Sequence, residues 1–254
     1  MLLSISNFCL AAAEPKSCSA SIQIAEKLQA YYRSRVTVFA LGASKIGFPP
    51  SFDFEPITDS KNLGKHFKSS KNELMILPLQ EEGSQLGVIS IAQANKLIDH
   101  LERMVLTVPG NKSDFLINKI LVPIDSSFET RQKLPYAIAM ARAFNAKICL
   151  IGVSSDKGKD AEFAVKNYLS QVSRHLDDKG FNHQLEMRLG GNPTDQVISY
   201  AAEIGAGMIV IMTEQETNFT SLFSGKYSQQ MVKKSPVPVL SIHPKDLIVS
   251  DARL

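Results

Sequence analysis

The feature that most constrains this chain is a regular alternation, from Lys119 to Ile242, of short apolar runs with amphipathic segments of helical period. Lys119 to Ile124, Lys147 to Val153 and Met208 to Met212 are too short for core helices and are bounded by turn residues, so they predict buried strands. Gln184 to Leu189 alternates, and Pro238 to Ile242 closes the series. Between these runs, Leu134, Ala137, Ile138, Ala141 and Phe144 fall on one helical face, as do Ala161, Val165, Tyr168, Leu169, Val172 and Leu176. Gly180 predicts the end of that second helix. Asn192-Pro193-Thr194-Asp195 predicts the start of a third, with a cap, a first-turn proline and an acid. Tyr227 to Lys234 predicts a fourth. Strands that alternate with helices lie parallel, with helices on both faces, because a parallel pair needs a long crossover. Such sheets take ligands beyond the carboxyl ends of their strands, where the strand order reverses.

The first half repeats the pattern less completely. Asn7 to Ala11, Val36 to Leu41, Leu74 to Leu79 and Met104 to Val108 predict strands, and Ile22 to Tyr32 and Ile91 to Glu102 predict helices. Between Leu41 and Glu73 there is room for about one α/β unit where the second half has two. Gly47-Phe48-Pro49-Pro50 and Glu55-Pro56 predict loop inside that space. An internal duplication with a deletion follows. Residues 1–110 form a shortened domain, Gly110 to Ser113 a linker, residues 118–246 a five-stranded domain and residues 247–254 a tail.

Composition removes whole classes of function. A length of 254 residues suits two domains, and 44% hydrophobic with 21% charged residues suits a soluble globular chain. A dispersed net charge of +3 leaves no nucleic-acid footprint. No run approaches the roughly 18 apolar residues of a membrane span. Three cysteines without a CxxC pair suggest neither a disulfide framework nor zinc, and point to the reducing cytoplasm. The run from Leu2 to Ala13 lacks a basic flank, which argues against a signal peptide. The five histidines share no metal-ligand spacing, and no G-x-S-x-G elbow surrounds Ser126 and Ser127, so neither a metal site nor a hydrolase nucleophile is expected.

Three blocks in order carry a family resemblance: Lys119-Ile-Leu-Val-Pro-Ile-Asp125, Gly191-Asn-Pro-Thr-Asp-Gln-Val-Ile198 and Val237-Pro-Val-Leu-Ser-Ile242. Together they resemble the universal stress protein family, a nucleotide α-hydrolase-like α/β fold, and the first half is similar to it as a divergent copy. The resemblance implies two doubly wound parallel-sheet domains, the first truncated, and a role in stress response. It also implies where a nucleotide would sit. Asp125 stands where the family contacts adenine, Val153 ends the strand whose backbone reads the base, and the phosphate loop runs from Thr213 to Lys226. Nucleotide-binding members carry glycines in that loop, which let backbone N–H groups approach phosphate. Here Thr213 and Glu216 replace the first two, the spacing is about one residue short, and Lys226 follows Gly225 where the family has a hydroxyl. Glu214 and Glu216 would face a polyphosphate, and unit charges about 4 Å apart repel by about 1–4 kcal/mol near a surface. Ser224, Gly225 and Lys226 are the remaining anion-holding candidates, against a plain helix start for Gly225 and a solvated first-turn lysine for Lys226. Asp125 reads equally as a turn acid ending its strand. In the first half, Ala12 or Ala13 stands in its place and no nucleotide is expected.

These readings predict a non-enzymatic stress protein with an eroded ATP loop, no required cofactor and no metal, acting through contacts with a partner protein. The alternative is a regulatory module that holds ATP or AMP in the second domain, and an ATP-hydrolysing or adenylyl-transferring enzyme is a third. The closing strands are apolar and lack edge-guarding lysines, so Val105, Leu106, Val239 and Leu240 are expected to face each other as an intrachain pseudo-dimer, with a homodimer as a further assembly.

Overall fold

The computed structural model describes residues 3–42, 45–80, 89–110, 113–127, 131–213 and 227–243. The N-terminal unit, Ser4–Phe115 together with the closing strand of the chain, runs β1 (Asn7–Ala12), α1 (Ser19–Tyr32), β2 (Arg35–Leu41), β3 (Asp53–Ile57), α2 (Leu63–Ser69), β4 (Leu74–Pro78), α3 (Ile91–His100) and β5 (Met104–Val108). These five strands lie in the order β3-β2-β1-β4-β5 and pair in parallel. β1 is apolar and fully buried from Phe8 to Ala12, so the chain's first apolar run is spent on the central strand. α3 starts with a complete capping box, Ser90 accepting from the Gln93 N–H while Gln93 reaches back to the Ser90 N–H.

The C-terminal unit, Leu116–Val237, runs β6 (Lys119–Ile124), α4 (Leu134–Phe144), β7 (Lys147–Ser154), α5 (Lys159–Asp178), β8 (His183–Leu189), α6 (Pro193–Ile204), β9 (Met208–Met212) and α7 (Tyr227–Lys234). Its strands take the order β9-β6-β7-β8, again parallel. This is the order β4-β1-β2-β3 of the first unit, so two dissimilar sequences build the same winding. Val165, Leu169, Val172 and Leu176 of α5 are buried, and a Cβ at Gly152 of β7 would lie 2.5 Å from Leu169 Cδ1. The glycine therefore sets how closely α5 rides on β7. Asn192 caps α6, its Oδ1 accepting from the N–H groups of Thr194 and Asp195, and Gly205 ends that helix in the left-handed region at φ +63°.

Two differences from the sequence reading have physical causes. Glu55 and Pro56 belong to strand β3 rather than to a loop. β3 ends the N-terminal strand order, and an edge tolerates a proline that a central strand would reject. The shortening of the first half therefore removes no strand. What is missing is the helix between the second and third strands: 42–52 contains none among its described residues, where the second unit has α5. Phe48 and Phe52 are buried on that connection, with the Phe48 ring 6.2 Å from that of Phe54 on β3. The closing strand, β10 (Val239–Ile242), groups with the N-terminal unit, where it pairs antiparallel with β5. Val239 lies opposite Thr107, Leu240 opposite Leu106 and Ser241 opposite Val105, and Val105, Leu106, Val239 and Leu240 are all buried. Among the described residues no helix is long and apolar enough to cross a membrane.

Candidate functional site

Parallel winding brings the carboxyl ends of β1 to β5, and likewise those of β6 to β9, to one side, and the order reverses between the first and fourth strands of each set. The ladders are short there. β1 pairs with β4 over three positions and with β2 over six, and β6 pairs with β9 over two and with β7 over six. The strands thus part at the switch point in both units, which is where a parallel sheet makes room for a ligand.

In the C-terminal unit, registers carried past the strand ends place Asp125 level with Val153 on β7 and with Thr213 just beyond β9. Three of the residues named from sequence therefore meet at one end of adjoining strands. Ser224, Gly225 and Lys226 lie outside the described residues, as do Glu214 and Glu216. Asp125 is turned onto its own loop, where its Oδ1 accepts from the Ser127 N–H at 2.8 Å and from the Ser127 hydroxyl at 2.5 Å. This is an Asx turn, the geometry short acids adopt after a strand. Val153 and Thr213 are buried.

Lys133 was not singled out by sequence, and it is the unusual residue of this end. It sits at the start of α4 only 4% exposed. Burial pulls its ammonium down from the ordinary 10.5 to about 8, opposed by the negative charge of Asp125. The approach to α4 is tied down by Arg131, whose guanidinium lies 4.8 Å from the Tyr168 ring and donates to Gln171 Oε1 at 2.6 Å, both on α5. A lysine in an otherwise amphipathic pattern gave no hint of this, because burial at a helix start depends on tertiary surroundings that leave no periodic signal.

The N-terminal unit presents the opposite surface. β1 and β2 share the register of β6 and β7, so Ala13 and Leu41 stand where Asp125 and Val153 do. Beside them opens a cleft of about 450 Å³ lined by Ala13, Leu41, Gly42, Ile57, Thr58, Asp59 and Ser60. Two of its polar side chains already have work. Asp59 Oδ1 accepts from the Lys61 N–H, and Ser60 Oγ accepts from Gln93. At the level of Ile57 the second unit has Arg188, held by Glu203 at 2.5 Å and packed 5.1 Å from the Tyr200 ring. Among the described residues no group of histidine, cysteine, aspartate or glutamate side chains could hold a metal ion, and all three cysteines are free and buried.

Comparison with known proteins fits this geometry. The sequence model described as the universal stress protein family matches residues 117–243. A universal stress protein of Methanocaldococcus jannaschii is 26% identical over 141 residues, covering 50% of this chain and 82% of the relative. Among solved structures, a universal stress protein from Archaeoglobus fulgidus superposes with a TM-score of 0.69 at 14% identity, covering 95% of this chain and 97% of that one. A putative universal stress protein from Pseudomonas aeruginosa does so with a TM-score of 0.70 at 14% identity, covering 96% and 95%. At such identities the structures speak for the fold, and they extend the likeness from the C-terminal unit to nearly the whole length.

Proposed function

Because this chain belongs to the universal stress protein family, we propose that it serves stress response as a non-enzymatic protein that works through contacts with other proteins, with a nucleotide site too eroded to hold ATP firmly. The observation that carries this reading is the state of Asp125. The carboxylate the family resemblance directs at adenine is bonded twice to Ser127, and its charge acts on the buried Lys133. To read a base it would have to leave a turn that satisfies it, at a cost of about 1–3 kcal/mol for charge-assisted hydrogen bonds. The loop that would receive the phosphates adds Glu214 and Glu216 and lacks the first two glycines. On the other unit the corresponding position is Ala13, which offers a base no polar side chain. The buried pairing of β10 with β5 supports the further reading that the two closing strands anchor an intrachain pseudo-dimer.

One observation favours a second reading, a module that holds ATP or AMP in the C-terminal unit. Asp125, Val153 and Thr213 still stand together where β6 and β9 part. Titration calorimetry of the full chain with ATP and AMP at physiological salt separates the two. Affinity in the millimolar range or weaker is expected. Micromolar binding that disappears in Asp125→Ala would overturn the first reading and establish the second.

A further inference from the structure

We propose that β8 is a self-association edge, pairing antiparallel with β8 of a second copy of this chain. This requires nothing of the nucleotide site and so goes beyond the reading above. β8 ends the strand order of the C-terminal unit, with β7 as its neighbour. The two edges of the protein's described sheets that end in a third strand are treated differently. β3 carries Pro56, which has no N–H to offer, whereas His183–Leu189 contains neither proline nor lysine. On β8 the apolar side chains Leu185 and Met187 share one face and are 50% and 36% exposed.

The backbone fixes which groups are on offer. Gly190 donates its N–H to Ser154 of β7 at 2.7 Å. Backbone direction alternates along a strand, so Gln184, Glu186 and Arg188 also turn their N–H and C=O groups toward β7. Leu185, Met187 and Leu189 turn theirs outward. A two-fold antiparallel pair must therefore match odd residues with odd residues, which leaves few registers. One sets Glu186 against Glu186, and another sets Arg188 against Arg188. A third sets Gln184 against Glu186. The register centred on Met187 alone puts Glu186 of each copy opposite Arg188 of the other, twice, and at the same time sets Leu185 against Leu189 and Met187 against Met187. Opposite charges across a ladder stabilise it and like charges destabilise it, so the sequence selects that register and a second copy of itself as the partner. Arg188 is already placed for the role, held on the α6 side by Glu203 and 3.5 Å from Glu186 of its own strand.

Sedimentation equilibrium and disulfide trapping on the full-length chain test this. Partners in a hydrogen-bonded antiparallel pair lie about 5.5 Å apart at Cα, inside the range a disulfide spans. Met187→Cys is therefore expected to cross-link to a dimer under mild oxidation. Leu185→Cys is not, because its copies are displaced by four residues, about 13 Å along the strand. The native cysteines are buried and do not compete. Glu186→Arg is expected to raise the dimer dissociation constant about tenfold by placing arginines opposite each other, and adding Arg188→Glu to it is expected to restore association. A chain that stays monomeric at every concentration would overturn the proposal. So would a dimer trapped as well by Leu185→Cys as by Met187→Cys, or one indifferent to Glu186→Arg with its circular dichroism unchanged.

Discussion

The two units wind their strands identically and finish them differently. At the carboxyl ends of its first two strands the N-terminal unit presents Ala13, Leu41 and Gly42 around an open cleft, whereas the C-terminal unit presents an acid locked in a turn beside a buried lysine. At the third strand, the N-terminal unit has an edge broken by Pro56 and reached without a helix, and the C-terminal unit has an unguarded edge reached through the 20-residue α5. The apolar runs determine the winding, and they survive divergence because a slipped strand would expose a whole face. Connections and strand ends determine the chemistry, and there the two copies have parted. A shared order of strands therefore does not transfer a ligand from one unit to the other.

The largest effect is expected where the N-terminal sheet receives β10. Val239 is buried opposite Thr107, and Val239→Asp strands a carboxylate in that ladder. A loss of more than about 3 kcal/mol is expected in denaturant titration. Unchanged stability would mean that the pairing of β5 with β10 contributes nothing to the fold.

The contrast between the filled and open strand ends sharpens at Lys133. Its folded pKa of about 8 lies below the unfolded value of 10.5, so up to about pH 8 both states carry the proton and the cost of burying the charge is fully present. Between about pH 8 and 10.5 the unfolded state binds the extra proton, and stability rises with pH. Lys133→Met is therefore expected to stabilise the protein at pH 7 by at most about 3 kcal/mol, with the gain shrinking as the pH approaches 10. A gain independent of pH would show that packing, not charge, is what the substitution changes.

A smaller effect probes the helix that only one unit possesses. Gly152→Ala would drive a methyl group into Leu169 and Val165, at 2.5 and 2.6 Å, and push α5 off β7. A loss of about 1–2 kcal/mol is expected in thermal or denaturant melts. A neutral outcome would show that α5 is loosely seated and that its absence from the first unit costs little.

How much of this was legible in the sequence varied by element. β9 is the run Met208–Met212 that the hydrophobic pattern marks, and α6 begins at the Asn192 cap because an asparagine followed by proline and two further polar residues satisfies a helix start locally. β3 was missed because Asp53–Ile57 buries only Ile57 fully and carries a proline, so neither an apolar run nor strict alternation announces it. Which helix the first half lacked could not be read from its length, since the strand it kept looked like loop. At the site, the strand-end positions of Asp125 and Val153 followed from the pattern and the resemblance. The bond from Ser127, the burial of Lys133 and the cleft beside Ala13 depend on loop conformations and tertiary surroundings that carry no periodic signal. The unguarded edge of β8 needed both parts, alternation to show its two faces and the Gly190 hydrogen bond to show which backbone groups look outward.

The most direct test of the central claim is native mass spectrometry of the full-length protein as isolated, and again after addition of excess ATP at physiological ionic strength. The account predicts the polypeptide mass without a nucleotide in the first spectrum and no saturable adduct in the second. A stoichiometric nucleotide carried through purification, lost in Asp125→Ala, would contradict it.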